Sequence, residues 1–333
     1  MNKTICIYHS RDLDGWMSAA IVKKWFIKVS EPNSLIYDCR DEYFNENIAT
    51  PAELHLLGWD YGDDIPDLKE YDKVIMVDIS FPKDEMLKIC VKNGTPLVWI
   101  DHHISSIKTN NFTNTFKDED KVYIEGIRDT DFAACELTWM YFFPNDERPE
   151  IVRLLGAYDC FRSRGTGEEI SVLEFQYGAR SLISNYEDCY NRLIECELLI
   201  GCITSQTLLL SDIKNEGKTI YKYFCTEAKQ TYSKAFNIRF HKHITPSGAV
   251  SEIMYSFLCV NQERFNPINF GIDYHKEGYD GFACFWYKDS KWNFSLYNDN
   301  NKVDCGVIAK QYGGGGHKGA AGFVVKDLKE VFK

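Results

Sequence analysis

Three consecutive side chains with metal-binding potential, Asp101, His102 and His103, follow an apolar run from Pro96 to Ile100. The run predicts a buried strand, so the polar residues stand at its carboxyl end. Ligands of open α/β sheets bind at this edge, where a carboxylate and two imidazoles could hold a cation. The alternative is an ordinary polar surface turn. These residues alone do not decide between the two, so the question is whether the rest of the chain supplies matching carboxylates.

Further acidic residues stand where other predicted elements end. Taken singly, each has an ordinary explanation; Asp78, for example, could simply cap the helix that follows it. In a parallel sheet, however, the carboxyl ends of the strands share one edge, so the side chains can converge there. The candidates are His9, Asp12 and Asp14 after a first strand at Lys3 to Tyr8, Asp78 at the end of a strand from Lys73, and Asp159 after a helix from Glu150.

This mixture of donors indicates which cations the site would bind. Carboxylates and imidazoles suit Mn²⁺ or Mg²⁺ and, less specifically, Zn²⁺ or Co²⁺. Two ions roughly 3.5–4 Å apart, bridged by one carboxylate, would activate a water molecule and bind a phosphoryl oxygen. Asp12 and Asp14, two positions apart, could reach different ions from one loop. We therefore expect a two-metal phosphoester chemistry.

A run of four glycines, Gly313 to Gly316, precedes His317 and Lys318 near the end of the chain. One interpretation is a flexible linker. The run lies, however, between a predicted helix and the small-residue segment Gly319 to Gly322, within a fold. Glycine amides can approach a phosphate closely, and the histidine and lysine add donors. We therefore expect a phosphate-binding segment.

The order of predicted elements indicates the fold class. Strands alternate with helices in the first half, which predicts a parallel sheet with crossover helices, the first of them starting at Trp16. Later segments predict a hairpin turning at Asp289 and Ser290. We expect an α/β protein with a parallel-sheet domain over 1–185, a helical connection over 186–236 broken at Gly201 and Gly217, and a smaller α+β domain over 237–333.

Composition restricts the partners. The 333 residues are 44% hydrophobic and 26% charged, as in soluble globular proteins. No stretch approaches the ~18 apolar residues of a membrane span, and the start does not resemble a signal peptide. Twelve cysteines without a C-x-x-C pair favour buried thiols in a reducing cytoplasm. A net charge of −11 disfavours binding of long duplex nucleic acid.

Together these motifs resemble the DHH phosphoesterase family. The resemblance rests on H-x-x-D-x-D-G from His9 to Gly15, on Val77-Asp78, and on Asp101-His102-His103. The ending GGGGHKGAAGF, with Ser-Leu-Tyr upstream at Ser295 to Tyr297, is similar to the DHH-associated domain that accompanies this family. The resemblance implies a two-domain phosphoesterase with two Mn²⁺ ions in the cleft between the domains, for which Mg²⁺ or Co²⁺ could substitute.

The resemblance also implies a role for each matching residue. Asp78 would bridge the two ions, Asp101 would orient a histidine from behind them, and His103 would lie near the leaving group or the scissile phosphate. The phosphate would be held by His317 and the glycines before it, namely Gly313, Gly314, Gly315 and Gly316. The remaining ligands would be His9 and Asp12 on one ion, and Asp14, His102 and Asp159 on the other.

Two positions depart from the family pattern. Arg11 occupies an insertion between the histidine and the first aspartate of the first motif, and we count it among the substrate-binding candidates. Tyr297 stands where the family often carries arginine, which would replace a charged phosphate contact by stacking on a base.

Within the family, the compact two-domain layout resembles the nanoRNases. The expected activity is Mn²⁺-dependent exonucleolytic hydrolysis of short single-stranded oligonucleotides, without a membrane partner. Linear or cyclic dinucleotides and adenosine 3′,5′-bisphosphate are alternative substrates, and a nucleotide-binding regulator without catalysis is an alternative of another class. A homodimer is left open.

Overall fold

The structure, a computed structural model, describes residues 3–30, 35–38, 52–113, 122–194, 210–244, 251–300, 302–316 and 318–332. The chain divides into two compact units, residues 1–220 and 221–333. The domain boundaries expected after residues 185 and 236 stay a prediction. Among the described residues, no helix combines the length and the apolar character needed to cross a membrane.

The first unit contains a parallel sheet with the strand order β2-β3-β1-β4-β5. Its strands are β1 (Lys3–His9), β2 (Leu35–Asp38), β3 (Glu53–Trp59), β4 (Lys73–Val77) and β5 (Leu97–Ile100). Its helices are α1 (Leu13–Val29), α2 (Lys83–Leu87), α3 (Ile104–Asn110), α4 (Ala134–Phe142), α5 (Glu150–Asp159), α6 (Glu169–Leu182) and α7 (Tyr186–Asp188), with π-helical turns at Lys88–Lys92 and Cys189–Ile194.

Both faces of this sheet are buried, as is usual for a parallel sheet. Alternate side chains of each strand belong to different hydrophobic clusters; Tyr8 packs on the side of α1, α4, α5 and α6, whereas Ile7 packs on the other side with Trp99. The register pairs Tyr8 with Val77 and Val77 with Ile100. The carboxyl ends of β1, β4 and β5 are therefore neighbours along one edge.

Helix α1 begins at Leu13, so the expectation that residues up to Gly15 form a loop and that the helix starts at Trp16 was wrong. Asp12 caps the helix, its Oδ1 accepting a hydrogen bond of 3.0 Å from the Gly15 amide. A Cβ atom on Gly15 would collide with the carbonyl of His9. The glycine thus allows the first turn of α1 to pack directly on the end of β1.

Helix α8 (Leu210–Tyr232) continues through Gly217, which we had expected to break it. A Cβ atom on Gly217 would collide with the backbone of Glu174 and Gly178 in α6, and one on Gly178 would collide with the backbone of α8. Tertiary packing of two glycines at a close helix crossing therefore outweighs the low helix propensity of glycine. Gly201 lies outside the described residues.

The second unit contains a sheet with the strand order β10-β11-β9-β8-β7-β6, antiparallel except for the β7–β8 pair. Asp289 and Ser290 join β8 and β9 with positive φ angles of 52° and 60°, which confirms the predicted hairpin. The strands are β6 (Phe236–Ile244), β7 (Ser251–Asn261), β8 (Gly281–Lys288), β9 (Lys291–Tyr297), β10 (Gly315–Gly316) and β11 (Ala320–Val325), and α9 is Cys305–Gln311. Turns of 3₁₀ helix lie at Pro267–Phe270, Tyr274–Glu277 and Leu328–Glu330.

A parallel α/β sheet unit followed by a separate sheet unit confirms the expected fold class. Helix α8 provides most of the described part of the expected helical connection, because residues 195–209 lie outside the described residues.

Candidate metal centre

Two groups of potential ligands meet at the carboxyl edge of the first sheet. In the first group, His9 Nδ1 lies 2.9 Å from Asp12 Oδ2 and 3.4 Å from Asp78 Oδ2. All three side chains offer ligand atoms that lie close enough together to hold one cation. His9 comes from the end of β1, Asp12 from the cap of α1 and Asp78 from the residue after β4.

The second group is organised around His102, which follows β5 closely. Its Nε2 lies 3.4 Å from Asp78 Oδ1, 3.4 Å from Asp159 Oδ2 and 3.6 Å from Asp14 Oδ2. Asp78 thus directs one carboxylate oxygen to His9 and the other to His102. A carboxylate placed between two ligand groups is the geometry required of a residue that bridges two cations.

Asp78 is held in a costly conformation and environment. Its φ is 61°, in the left-handed region that few residues other than glycine, asparagine and aspartate adopt. The side chain is 2% exposed, and its buried Oδ1 makes no hydrogen bond with any described group. Burial raises the pKa of this carboxyl group. A bound cation would supply the missing partner, so the residues present fit a metal centre.

Burial and crowding of the carboxylates also raise the pKa values of the groups around Asp78. Burial, followed by the charge of Asp14, raises the pKa of Asp159 to about 7, and burial together with Asp78 raises the pKa of Asp14. Burial alone would lower the pKa of His102, but Asp78 and other neighbours raise it to about 12. The pKa of His9 is likewise raised to about 11, because Asp12 and Asp78 outweigh burial. The site therefore stabilises positive charge, whether on its histidines or on a bound cation.

Asp14 is fixed by the beginning of α4. Its Oδ1 accepts a hydrogen bond of 2.7 Å from the Cys135 amide, and its Oδ2 accepts one of 2.9 Å from the Ala134 amide. These are donors at a helix N-terminus, which attracts a carboxylate. Glu136, fully buried and paired with Arg148 and Arg162, caps the same turn.

Asp101 holds His103 rather than His102. The carboxylate is fully buried, and its Oδ1 accepts a hydrogen bond of 3.0 Å from the His103 amide while lying 2.8 Å from His103 Nδ1. His103 Nδ1 also lies 3.7 Å from Asp78 Oδ1, and the ring belongs to a third potential ligand group with Asp78 and His102. Asp101 therefore contacts the second histidine, and its expected orienting role stays a prediction.

Two residues at the site were missed by the sequence analysis. Asp60, directly after β3, lies 3.5 Å from His9 Nε2 through its Oδ1 and forms an ion pair with Arg11 through Oδ2. Cys160 Sγ lies 3.8 Å from His102 Nδ1. Asp60 could have been found by the strand-end argument applied to β3, whereas no pattern marked Cys160. Arg11 lies beside the first ligand group with a largely exposed side chain.

The glycine run in the second unit is part of the fold and not a linker. The amides of Gly313 and Gly314 donate to the carbonyls of Lys310 and Ala309 and so terminate α9, while the remaining two glycines form β10 against β11. His317 lies outside the described residues. Tyr297 ends β9, half-buried, and burial raises its pKa to about 12. Phosphate binding by this segment stays a prediction.

Removing the charge of Asp101 tests its orienting role. In Asp101→Asn the amide oxygen can still accept from the His103 backbone, but the imidazole loses its negative partner. We expect kcat for the phosphoester hydrolysis that the sequence predicts to fall about 10- to 100-fold, the range for residues that orient metal-site histidines. An unchanged kcat in a folded variant would contradict the role. The control is Asp289→Asn, at an exposed position in the β8–β9 turn of the second unit.

A family model and a curated relative both match parts of this chain. Residues 4–157 match the model of the DHH family, N-terminal domain. The chain is 24% identical over 264 residues to uncharacterized protein R106 of Acanthamoeba polyphaga mimivirus, covering 77% of this chain and 54% of the relative. It thus spans about half the length of that curated relative.

Two solved structures can be superposed on nearly the whole chain at low similarity. PggH, a pGpG-specific phosphodiesterase from Vibrio cholerae, is 13% identical with a TM-score of 0.44, covering 98% of this chain and 93% of PggH. RecJ from Thermus thermophilus, solved in complex with Mn²⁺, is 12% identical with a TM-score of 0.44, covering 99% of this chain and 50% of RecJ. The match over residues 4–157 is independent of both structures and includes every proposed metal ligand except Asp159. Over residues 4–157 the chain is therefore similar to the N-terminal domain of the DHH family.

Proposed function

We propose that this protein is a manganese-dependent phosphodiesterase that hydrolyses short single-stranded oligonucleotides. The observation that carries the proposal is the position of Asp78, whose two oxygens face two separate ligand groups. The match of residues 4–157 to the DHH family supports phosphoester hydrolysis as the reaction class. The first group, His9, Asp12 and Asp78, combines imidazole with carboxylates and contains no cysteine, which favours Mn²⁺ over softer ions there.

The proposed ligands divide between the two groups. His9 and Asp12 would hold one ion, Asp78 would contact both, and the second ion would be held by Asp14, His102 and Asp159. Ions bound by these residues would lower the pKa of a bound water molecule and neutralise negative charge on the phosphoryl oxygens. The protein contributes the rigid positions of the ligands: strand ends for the histidines, and a helix N-terminus for Asp14.

His103 is proposed to donate a proton to the leaving oxygen. Burial opposes a charged imidazole, but contact with Asp101 and the charge of Asp78 raise its pKa, which favours the protonated form that a proton donor needs. Asp101 keeps Nδ1 engaged and thereby fixes the ring. Arg11 at the edge of the site, and Tyr297 with the glycine run and His317 in the second unit, are the proposed substrate contacts.

The acidic charge of the chain supports a small substrate. A protein of net charge −11 has little capacity to neutralise a long phosphate backbone, so a few nucleotides are favoured over a duplex. Nine described cysteines are free thiols, which supports our proposal that the protein works in a reducing cytoplasm.

A product time course on 5′-labelled RNA and DNA of graded length tests the substrate class. With Mn²⁺ present, we expect dinucleotides to pentanucleotides to be hydrolysed to mononucleotides faster than longer strands. The same assay includes cyclic dinucleotides and adenosine 3′,5′-bisphosphate. Preference for either of these would overturn the oligonucleotide proposal, and the absence of any turnover would support a nucleotide-binding regulator instead.

Removal of the metal gives a second expected outcome. Treatment with excess EDTA should abolish hydrolysis, because the chelator removes the cations from His9, His102 and the neighbouring carboxylates. Addition of Mn²⁺ should restore the activity, with Co²⁺ or Mg²⁺ restoring a part of it. The metal content of the treated protein is measured in parallel. Full activity in a protein shown to be free of ions would contradict the metal centre.

A further inference from the structure

A cavity of about 460 Å³ opens beside His103 in the first unit. It is bounded by the end of β3 and the residues after it, by the segment between β4 and α2, and by α3. The side chains that give it its chemistry are Trp59, Tyr61, Phe81, His103, Ser106 and Asn110. The cavity and the metal centre therefore share one wall, the imidazole to which we assign proton donation.

Aromatic rings build one side of this cavity. The Trp59 ring packs edge-to-face on Phe81 at 4.9 Å and on Tyr61 at 5.7 Å between centroids. Trp59 is further fixed by a hydrogen bond of 3.1 Å from its Nε1 to the Asp64 carbonyl. Tyr61 is 53% exposed, and its hydroxyl lies 3.2 Å from Ser106 Oγ. The rings are thus held in place and leave a tyrosine face available for stacking.

The remaining lining combines Gly62, Ile65 and Pro82 with polar side chains, of which Asp63 and His103 alone can carry a charge. Hydroxyl groups come from Ser80 and the residues of α3, and Asn110 adds a side-chain amide. Asn110 is 2% exposed and donates to the sulfur of Met86 at 3.5 Å, a weak acceptor. None of the described residues that line the cavity is a lysine or an arginine. Its chemistry therefore suits a flat neutral group with hydrogen-bonding edges and does not suit a phosphate.

We propose that this cavity binds the nucleobase of one nucleoside whose phosphate lies at the metal centre. The inference rests on the proposed function and adds a base-recognition site within the first unit. Stacking on a tyrosine or tryptophan tolerates any base, since every base has a π-face. The cavity would therefore provide affinity for nucleotides over other phosphodiesters, with modest selectivity among bases.

The test compares wild-type protein with the variants Tyr61→Ala and Tyr287→Ala. The substrates are a linear dinucleotide and its analogues in which one base is replaced by hydrogen. We expect wild-type protein to prefer the full dinucleotide through a lower KM, and Tyr61→Ala to raise this KM about 10- to 100-fold while leaving hydrolysis of the base-free analogue unchanged. Tyr287→Ala, at a similarly exposed tyrosine of the second unit (60% exposed), should leave both substrates unaffected.

Binding of adenosine, measured by calorimetry with ribose as the comparison, separates this inference from the proposed function. Adenosine binding that is lost in Tyr61→Ala supports the cavity even if no phosphodiester is hydrolysed. Hydrolysis without any preference for the full dinucleotide, together with no adenosine binding, would overturn the base site and leave the phosphodiesterase proposal standing.

Discussion

Asp78→Asn is expected to reduce hydrolysis severely and to lower the bound metal from the two ions per chain that we propose to one or none. Asparagine matches aspartate in shape and tolerates the left-handed backbone at φ 61°, so the variant should fold. It loses, however, the charge that both ligand groups share. We expect kcat to fall on the order of 10³-fold, the upper range for losing one group that stabilises transition-state charge. Metal content measured by mass spectrometry on the folded variant reports the loss independently of activity.

A matched control for this substitution is Asp67→Asn. Asp67 is exposed, contacts Lys69 and lies outside the ligand groups, so both metal content and kcat should stay at wild-type values. An Asp78→Asn protein that still bound two ions and turned over at the wild-type rate would show that this carboxylate does not bridge cations.

Gly15→Ala is expected to have the largest effect on stability. The added methyl group would meet the carbonyl of His9 in the adjoining strand, a backbone atom that cannot move without separating α1 from β1. We expect a loss of about 3 kcal/mol or more in the free energy of unfolding, the upper range for overpacking. Because His9 and Asp12 flank this contact, the Mn²⁺ affinity of the remaining folded protein should fall as well.

Gly167→Ala provides the comparison. A Cβ atom at Gly167 would have no heavy atom within 4 Å, so the change should alter the free energy of unfolding by less than about 1 kcal/mol. Urea unfolding of both variants measures the difference. Equal stabilities would contradict the close packing of α1 on β1 inferred from the structure.

Much of the metal centre could be predicted from the sequence because it depends on short, local patterns. Apolar runs located β1, β4 and β5, and parallel strands necessarily place their carboxyl ends together. His9, Asp78 and His102 therefore converge as expected. The histidine that Asp101 contacts could not be predicted. His102 and His103 are neighbours in a loop, and the backbone angles there decide which imidazole turns toward Asp101.

Tertiary packing accounts for the other differences. A helix starting at Leu13 requires Asp12 to act as a cap, and periodicity alone gave no signal before Trp16. From the sequence alone, Gly217 predicts a helix break. The close packing of Gly217 on Gly178, which keeps the helix continuous, is visible in the structure and not in the sequence. Cys160 approaches His102 because α5 ends at this point, a distance of 58 positions along the chain that no local pattern encodes.

The wide spacing of the proposed ligands has a consequence for folding. They extend from His9 to Asp159 and come from β1, α1, α5 and the segments after β4 and β5. A cation binding to such a set recognises only the assembled unit, since the unfolded chain cannot bring these groups together cheaply. By mass action, its binding free energy therefore increases the free energy of unfolding of the whole unit, residues 1–220. The effect is not confined to one loop. The supply of cation would then influence how much of the protein persists in the folded state, in addition to how fast it works.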